Sequence, residues 1–171
     1  MQPRAAYIHV PFCRHRCGYC NFTVLAGRDD LMDAYLAAIE RELSWLAQPR
    51  QVHTLYLGGG TPTRLSLGRL ERLLSVATYL FELVDDYELT VEVNPADLSN
   101  DVAGVLADFR VTRISLGAQS FHGNKLRLLE RDHTAIDIVR AVELARRHCG
   151  SISIDLIFGA PGDTLPQWQE D

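Results

Sequence analysis

Apolar and polar positions follow two different periods along this chain, and the switch between the two recurs along its length. The first short-period run is Ala5-Ala6-Tyr7-Ile8-His9-Val10, aromatic and β-branched and stopped by Pro11, which predicts a strand. Behind it Met32, Tyr35, Leu36, Ile39, Leu43 and Leu46 fall at helical spacing, with Glu40, Arg41 and Glu42 on the wet side. Asp29 or Asp30 is expected to cap that helix, and Pro49 to end it. The scheme then repeats. Thr54 to Leu57 predicts a strand, and Leu67, Leu70, Leu73, Leu74, Ala77 and Leu80 a helix capped by Ser66. A strand over Glu88 to Val93 stops at Asn94-Pro95, ahead of a helix capped by Ser99 or Asn100 with Val102, Val105, Leu106 and Phe109 on its buried stripe. Arg113 to Leu116 leads through Gly117 to Phe121, and a short turn around Leu126 and Leu129, into a helix over Ala135 to His148. Gly150 stops that helix, with Arg146, Arg147 and His148 at its negative end. Ser151 to Phe158 is the next strand, and Leu165 to Asp171 opens another helix.

Strands alternating with helices imply parallel pairing through right-handed crossovers. The helices are apolar on one side, so they are expected on one face of the sheet. The fold class is therefore α/β, a partial (β/α) barrel of parallel strands, and not a doubly wound sheet. The chain stops within a helix after about five βα units, so residues 1–171 are expected to be the N-terminal piece of a longer protein.

Composition narrows this little. A length of 171 residues fits one domain, and 47% hydrophobic with 23% charged residues is ordinary for a soluble protein. A net charge of −5 argues against a general nucleic-acid binder. No apolar run is long enough for a transmembrane helix, and Met1-Gln2-Pro3-Arg4 does not start a secretory signal. A cytoplasmic location follows as the expectation, with Cys149 a reduced, buried small hydrophobe. Trp45 and Trp168 are expected to be core or helix-packing residues.

Chemistry collects in Cys13-Arg14-His15-Arg16-Cys17-Gly18-Tyr19-Cys20, a Cys-x3-Cys-x2-Cys window. Three thiolates from one loop suit zinc or an iron–sulfur cluster and leave one metal position open. His15 would complete a structural zinc site, which keeps zinc as an alternative; His9 reads as a satisfied strand histidine. Ligands of parallel α/β folds bind at the carboxyl ends of the strands. The cysteine loop, Gly58-Gly59-Gly60-Thr61, Glu92 with Asn94, Gln119 with Ser120, and Asp155 all belong to that rim. Glycines there would let a ligand lie against backbone groups. Glu92 would receive an ammonium group, and Asp155 needs a partner such as a ribose hydroxyl or Arg131.

The cysteine spacing resembles the radical S-adenosylmethionine (SAM) signature. Tyr7-Ile8-His9-Val10-Pro11-Phe12-Cys13, Gly58-Gly59-Gly60-Thr61-Pro62, Glu92-Val93-Asn94-Pro95, Gln119-Ser120-Phe121 and Asp155-Leu156-Ile157-Phe158-Gly159-Ala160-Pro161-Gly162 stand in the order found in the oxygen-independent coproporphyrinogen oxidase group. That resemblance implies a [4Fe–4S] cluster on Cys13, Cys17 and Cys20, with SAM chelating the fourth iron. It implies SAM contacts from Tyr7, Tyr19, Gly59, Gly60, Thr61, Glu92, Gln119, Arg131 and Asp155. The porphyrinogen-oxidising members carry a further cysteine two residues after the third, where this chain has Phe22. In that respect it is similar to the HemW-like branch of haem-binding chaperones, which implies haem or porphyrin and an electron donor as partners. The alternative within the group is oxygen-independent coproporphyrinogen III dehydrogenase.

Overall fold

The computed structural model describes residues 4–171. A five-stranded parallel sheet forms its centre: β1 (Ala5–Val10), β4 (Arg50–Gly59), β5 (Phe81–Val93), β6 (Arg113–Gln119) and β7 (Ser151–Leu156), side by side in chain order. Order without a reversal is what an incomplete barrel has and a doubly wound sheet lacks. A minor ladder pairs β2 (Phe12–Cys13) with β3 (Leu25–Ala26). The helices are α1 (Met32–Ser44), α2 (Leu67–Leu80), α3 (Asn100–Asp108), α4 (Gly123–Leu128), α5 (Ala135–His148) and α6 (Leu165–Glu170). Among the described residues no helix is long and apolar enough to cross a membrane.

The period-2 alternation within each strand sorts the sheet into two unlike faces. Ile8, Val10, Leu55, Leu57, Leu89, Val91, Val93, Ile114 and Leu116 are buried in one core with Leu70, Leu73, Leu74 and Ala77 of α2, Leu106 of α3, and Ala141 and Ala145 of α5. Each fully buried leucine there stabilises the fold by about 1.5–3 kcal/mol. Tyr7, Tyr56, Thr90, Glu92, Arg113, Ser115 and Asp155 occupy the alternate positions on the concave side, where pairing register sets Tyr7 beside Tyr56, Tyr56 beside Thr90 and Glu92 beside Ser115.

Several local expectations need correcting. The α1 helix starts at Met32 after a 3₁₀ turn, and neither Asp29 nor Asp30 caps it: Asp29 pairs with Arg64 and Asp30 with Arg28. Ser66 sits at the N-cap of α2 but its side chain makes no capping bond, whereas Ser99 caps α3 by accepting from Val102 N. The third strand of the sheet starts directly after α2, and its pairing with β4 jumps from Val52–Leu83 to Thr54–Glu88. Four residues, Val84 to Tyr87, thus bulge out, which is why apolar alternation revealed only the second half of the strand. Trp45 is 76% exposed at the C-cap of α1 and so is not a core residue. Cys149 is half-buried against the core, its thiol donating to the carbonyls of Val111 and Ser151.

Candidate functional site

The cysteine loop is closed at its base by the β2–β3 ladder, with Leu25 N donating to Pro11 O (2.7 Å) and Gly27 N to Cys13 O (3.0 Å). Within it Cys20 N donates to Cys17 O at 3.0 Å, a tight turn that holds two of the thiols on one side. Its return arm is tied to β1 by His9, whose Nε2 donates to Thr23 O at 2.8 Å while Nδ1 accepts from the Tyr7 hydroxyl at 3.1 Å. Both ring nitrogens are satisfied, so His9 is an anchor and not a ligand. Arg14 meets Asp97 (3.2 Å) and Asp132 (3.8 Å), and Arg16 Nε donates to Cys20 O (3.2 Å).

The glycine turn after β4 abuts this loop. Gly60 N donates to Val10 O and Thr61 N to Phe12 O, each at 2.8 Å, stitching it to the strand entering the cysteines. Packing gives these glycines a reason of their own, beside the place of Gly59 and Gly60 in the cleft lining. A Cβ on Gly58 would stand 2.6 Å from the Tyr56 ring and 2.7 Å from the Glu92 carboxyl carbon. One on Gly59, whose φ is 115°, would stand 2.4 Å from the His9 ring, and one on Gly60 2.7 Å from Phe12 O. The glycines make room for the protein's own groups. Gly59 N and the Tyr56 hydroxyl then donate to the two oxygens of Glu92, at 2.8 and 2.7 Å. Burial, and then that carboxylate, push the Tyr56 hydroxyl pKa well above its ordinary value, so Tyr56 stays a donor. Tyr56 was invisible to motif reading, though its place two residues before Gly58 on a strand sets it on the same face as that glycine.

Arg131 approaches from the other wall. Helix α4 ends with Glu130 in the left-handed region (φ 55°) and Arg131 N donating back to Leu126 O at 2.9 Å, a Schellman-type ending. That turn throws the guanidinium toward the cysteines: Nη1 reaches Cys17 Sγ (3.3 Å) and the Tyr19 hydroxyl (3.4 Å), and Nη2 donates to Asn94 Oδ1 (2.9 Å) and Gly117 O (3.0 Å). Its Nε is buried without a partner. Burial pushes the Tyr19 phenol up to about 12, against the opposing pull of Arg131. Asp155 is partnered by the Ser115 hydroxyl (3.0 and 3.1 Å) and not by Arg131. Gln119 also has a positive φ, 70°.

These groups share one cleft of about 590 Å³, lined by Cys13, Cys17, Cys20, Tyr19, Gly59, Gly60, Thr61, Glu92, Gln119, Arg131 and Asp155, and also by Tyr56, Asn94, Phe22, Val24 and Ile157. Of the cluster and SAM contacts that the resemblance implies, only Tyr7 is outside the lining. Gly58 and Ser120 of the expected rim are outside it too, Ser120 being buried and donating to Asp171. Tyr7 is 55% exposed and stands behind Tyr56, ring centroids 5.8 Å apart.

The donor set is three thiols on one loop, the soft ligand type that zinc and iron–sulfur clusters share. All four cysteines are free, and the thiols of the loop are near enough that, after burial, Cys20 and Cys17 add to the upward push on the Cys13 thiol, with the Thr61 hydroxyl opposing. Yet among the described residues no three cysteine, histidine or carboxylate groups converge on one point as a lone zinc requires. His15 lies 3.8 Å from Cys17 Sγ, but its Nε2 is already engaged by Glu130 O at 2.5 Å. Three thiols on one loop, beside a cleft of about 590 Å³ lined by polar groups, define the class of site: a soft thiol donor set next to room for a small ligand.

Comparison with known proteins agrees. The radical SAM superfamily matches residues 7–171, and the chain belongs to that superfamily. Among curated relatives, the heme chaperone HemW of Lactococcus lactis is 40% identical over 99% of this chain and 45% of its own length. That of Bacillus subtilis is 38% identical over 95% and 44%. The chain thus spans less than half the length of these relatives. Among solved structures, the coproporphyrinogen III oxidase HemN of Escherichia coli, a radical SAM enzyme, superposes with a TM-score of 0.88 at 32% identity, over 98% of this chain and 40% of that one. The methyltransferase TsrM of Kitasatospora setae, at 17% identity and a TM-score of 0.64, shares the fold.

Proposed function

We propose that this chain is the SAM- and cluster-binding part of a HemW-like protein that acts in haem binding and delivery. The observation that supports the cofactor assignment is that three thiols, the Glu92 carboxylate and the Arg131 guanidinium line one cleft. SAM carries an amino and a carboxylate group, and Glu92 and Arg131 offer the opposite charges. Cys13, Cys17 and Cys20 would hold a [4Fe–4S] cluster. When bound, such a cluster supplies one electron to the sulfonium, releasing methionine and a 5′-deoxyadenosyl radical.

The chain's own residues do the rest. Tyr56 and Gly59 N fix the Glu92 carboxylate by donating to both its oxygens. Asp155, held by Ser115, is free on its exposed side to accept from ribose hydroxyls, and Gln119 can both donate and accept. Gly60 and Thr61 tie the cleft to the strand that enters the cysteine loop.

The haem role rests on the name of the curated relatives and on Phe22, which is 66% exposed at the cleft mouth. A cysteine there marks the porphyrinogen-oxidising members that this chain resembles, and phenylalanine can bind no iron. The second reading, coproporphyrinogen III dehydrogenase, draws on the likeness to HemN. Haem or porphyrin and a one-electron donor are the partners in either case, and four free cysteines suit the reducing cytoplasm.

The test is anaerobic reconstitution of the full-length protein with iron and sulfide, then dithionite and SAM. Formation of 5′-deoxyadenosine, abolished by Cys17→Ala, is the expected result. Zinc in place of iron and sulfide would refute the cluster. Conversion of coproporphyrinogen to protoporphyrinogen would replace the chaperone reading with the enzyme.

A further inference from the structure

Arg131 is held against the cysteine loop by one backbone oxygen and one side chain. Its Nη2 donates to Gly117 O at 3.0 Å and to Asn94 Oδ1 at 2.9 Å, while Nη1 meets only a thiol and a hydroxyl. The orientation of the Asn94 amide is dictated by its neighbours. A guanidinium only donates and a carboxylate only accepts, so Oδ1 must face Arg131 and Nδ2 must face Asp132, 3.0 Å away. His133 lies behind the same oxygen without donating to it. Its Nδ1 lies 3.2 Å from Asn94 Oδ1, and its Nε2 donates to Ala118 O at 2.9 Å. Asp132 in turn lies 3.8 Å from Arg14, a residue of the cysteine loop itself. One amide therefore connects both arginines that flank the thiols.

We propose that Asn94 is a positioning residue for ligand binding: by occupying Nη2 it holds the guanidinium so that Nη1 is the donor presented to the carboxylate of SAM. This rests on the reading of the cleft as a SAM site and goes beyond it, because Asn94 acts through Arg131 and not on the ligand. A carbon chain in its place leaves Arg131 with only Gly117 O on that side and a wider range of poses.

The experiment uses the full-length protein, reconstituted anaerobically, with iron and sulfide per chain and the Kd for SAM as readouts. Asn94→Ala is expected to weaken SAM about tenfold, equivalent to about 1.4 kcal/mol, with iron and sulfide unchanged. In an Arg131→Ala background the same substitution is expected to add nothing, since the two residues act as one unit. Asn94→Asp alone faces Asp132 with a like charge and weakens SAM. Combining it with Asp132→Asn restores a donor–acceptor match and is expected to recover most of the affinity, which a merely structural defect would not. Should Asn94→Ala lose its iron, the exchanged pair still carries the test, because it keeps both volumes. Wild-type affinity in Asn94→Ala, full additivity with Arg131→Ala, or no recovery in the exchanged pair would each overturn the proposal. A wild-type protein that loads a cluster but binds no SAM overturns the reading of the cleft instead, and is distinguished by the wild-type value alone.

Discussion

Three glycines of this chain separate backbone strain from crowding, and alanine at each gives a graded prediction. At Gly27 φ is 64° and a Cβ would meet nothing within 4 Å, so Gly27→Ala introduces strain alone. Left-handed backbone costs an L-residue about 1–2 kcal/mol. At Gly58 φ is not positive, but a Cβ would stand 2.6 Å from the Tyr56 ring and 2.7 Å from the Glu92 carboxyl carbon. Forcing a methyl into such space costs about 1–3 kcal/mol. Gly59 combines both, with φ 115° and the His9 ring at 2.4 Å, so Gly59→Ala is expected to cost about 2–5 kcal/mol. For a domain of this size each kcal/mol lowers Tm by about 2–4 °C. Urea unfolding of the metal-free protein, followed by circular dichroism, measures the series. His9→Ala in the Gly59→Ala background removes the crowding and leaves the strain, so adding it should recover part of the loss despite deleting the Thr23 anchor. Equal losses at Gly27 and Gly59 would refute the reasoning, because they would mean that the His9 ring yields at no cost.

Three further outcomes follow from the same geometry. Glu130 has φ 55° at the end of α4, so Glu130→Gly should stabilise the chain by about 0.5–1 kcal/mol, read as a rise in urea midpoint. Thr134 closes α5 with a reciprocal capping box to Asp137, and Thr134→Ala should cost about 1 kcal/mol by the same assay. The Lys125 ammonium, 2.8 Å from Asp163, holds that carboxyl below its usual range. Its contribution is therefore complete at neutral pH and is lost as pH falls through the lowered value. A Tm-against-pH curve should flatten at acid pH in Asp163→Asn, and an unchanged slope would count against the pair.

The parallel sheet and its one-sided helices were legible because alternation and helical spacing each recur without interruption, and α5 falls where its stripe predicts. The bulge of Val84 to Tyr87 was not, since its backbone leaves the ladder and the pattern with it. Nor were the capping failures at Asp29, Asp30 and Ser66: a residue type suited to capping had better partners, or none in reach. In the cleft, the thiols, Glu92, Gln119, Arg131 and Asp155 that the motifs single out all belong to one lining. What the motifs could not show is which groups hold them. Tyr56, Ser115, Asn94 and His133 act through hydrogen bonds between residues far apart in sequence, and no spacing records those.

Two non-glycine residues with positive φ, Gln119 and Glu130, terminate the two elements that feed the Arg131 wall, and their strain has a common use. Each such residue costs of order 1–3 kcal/mol, so it persists only where other contacts over-determine it. In both cases the contact is made by the strained residue's own carbonyl. Gln119 O accepts from Ile157 N at 2.9 Å, carrying the end of β6 across to the segment after β7. Glu130 O accepts from His15, between the first two cysteines. A relaxed extended residue at either point would turn that carbonyl elsewhere and release the segment it holds. The cleft is thus stiffened from its backbone outward, with the left-handed turns aiming the oxygens and those oxygens fixing the loops they meet. It follows that Glu130→Gly, though it relieves strain, should leave His15 anchored, because glycine adopts the same φ and keeps the same carbonyl. By contrast Glu130→Pro, which cannot reach a positive φ, should free the cysteine loop and expose it to limited proteolysis while the sheet stays folded.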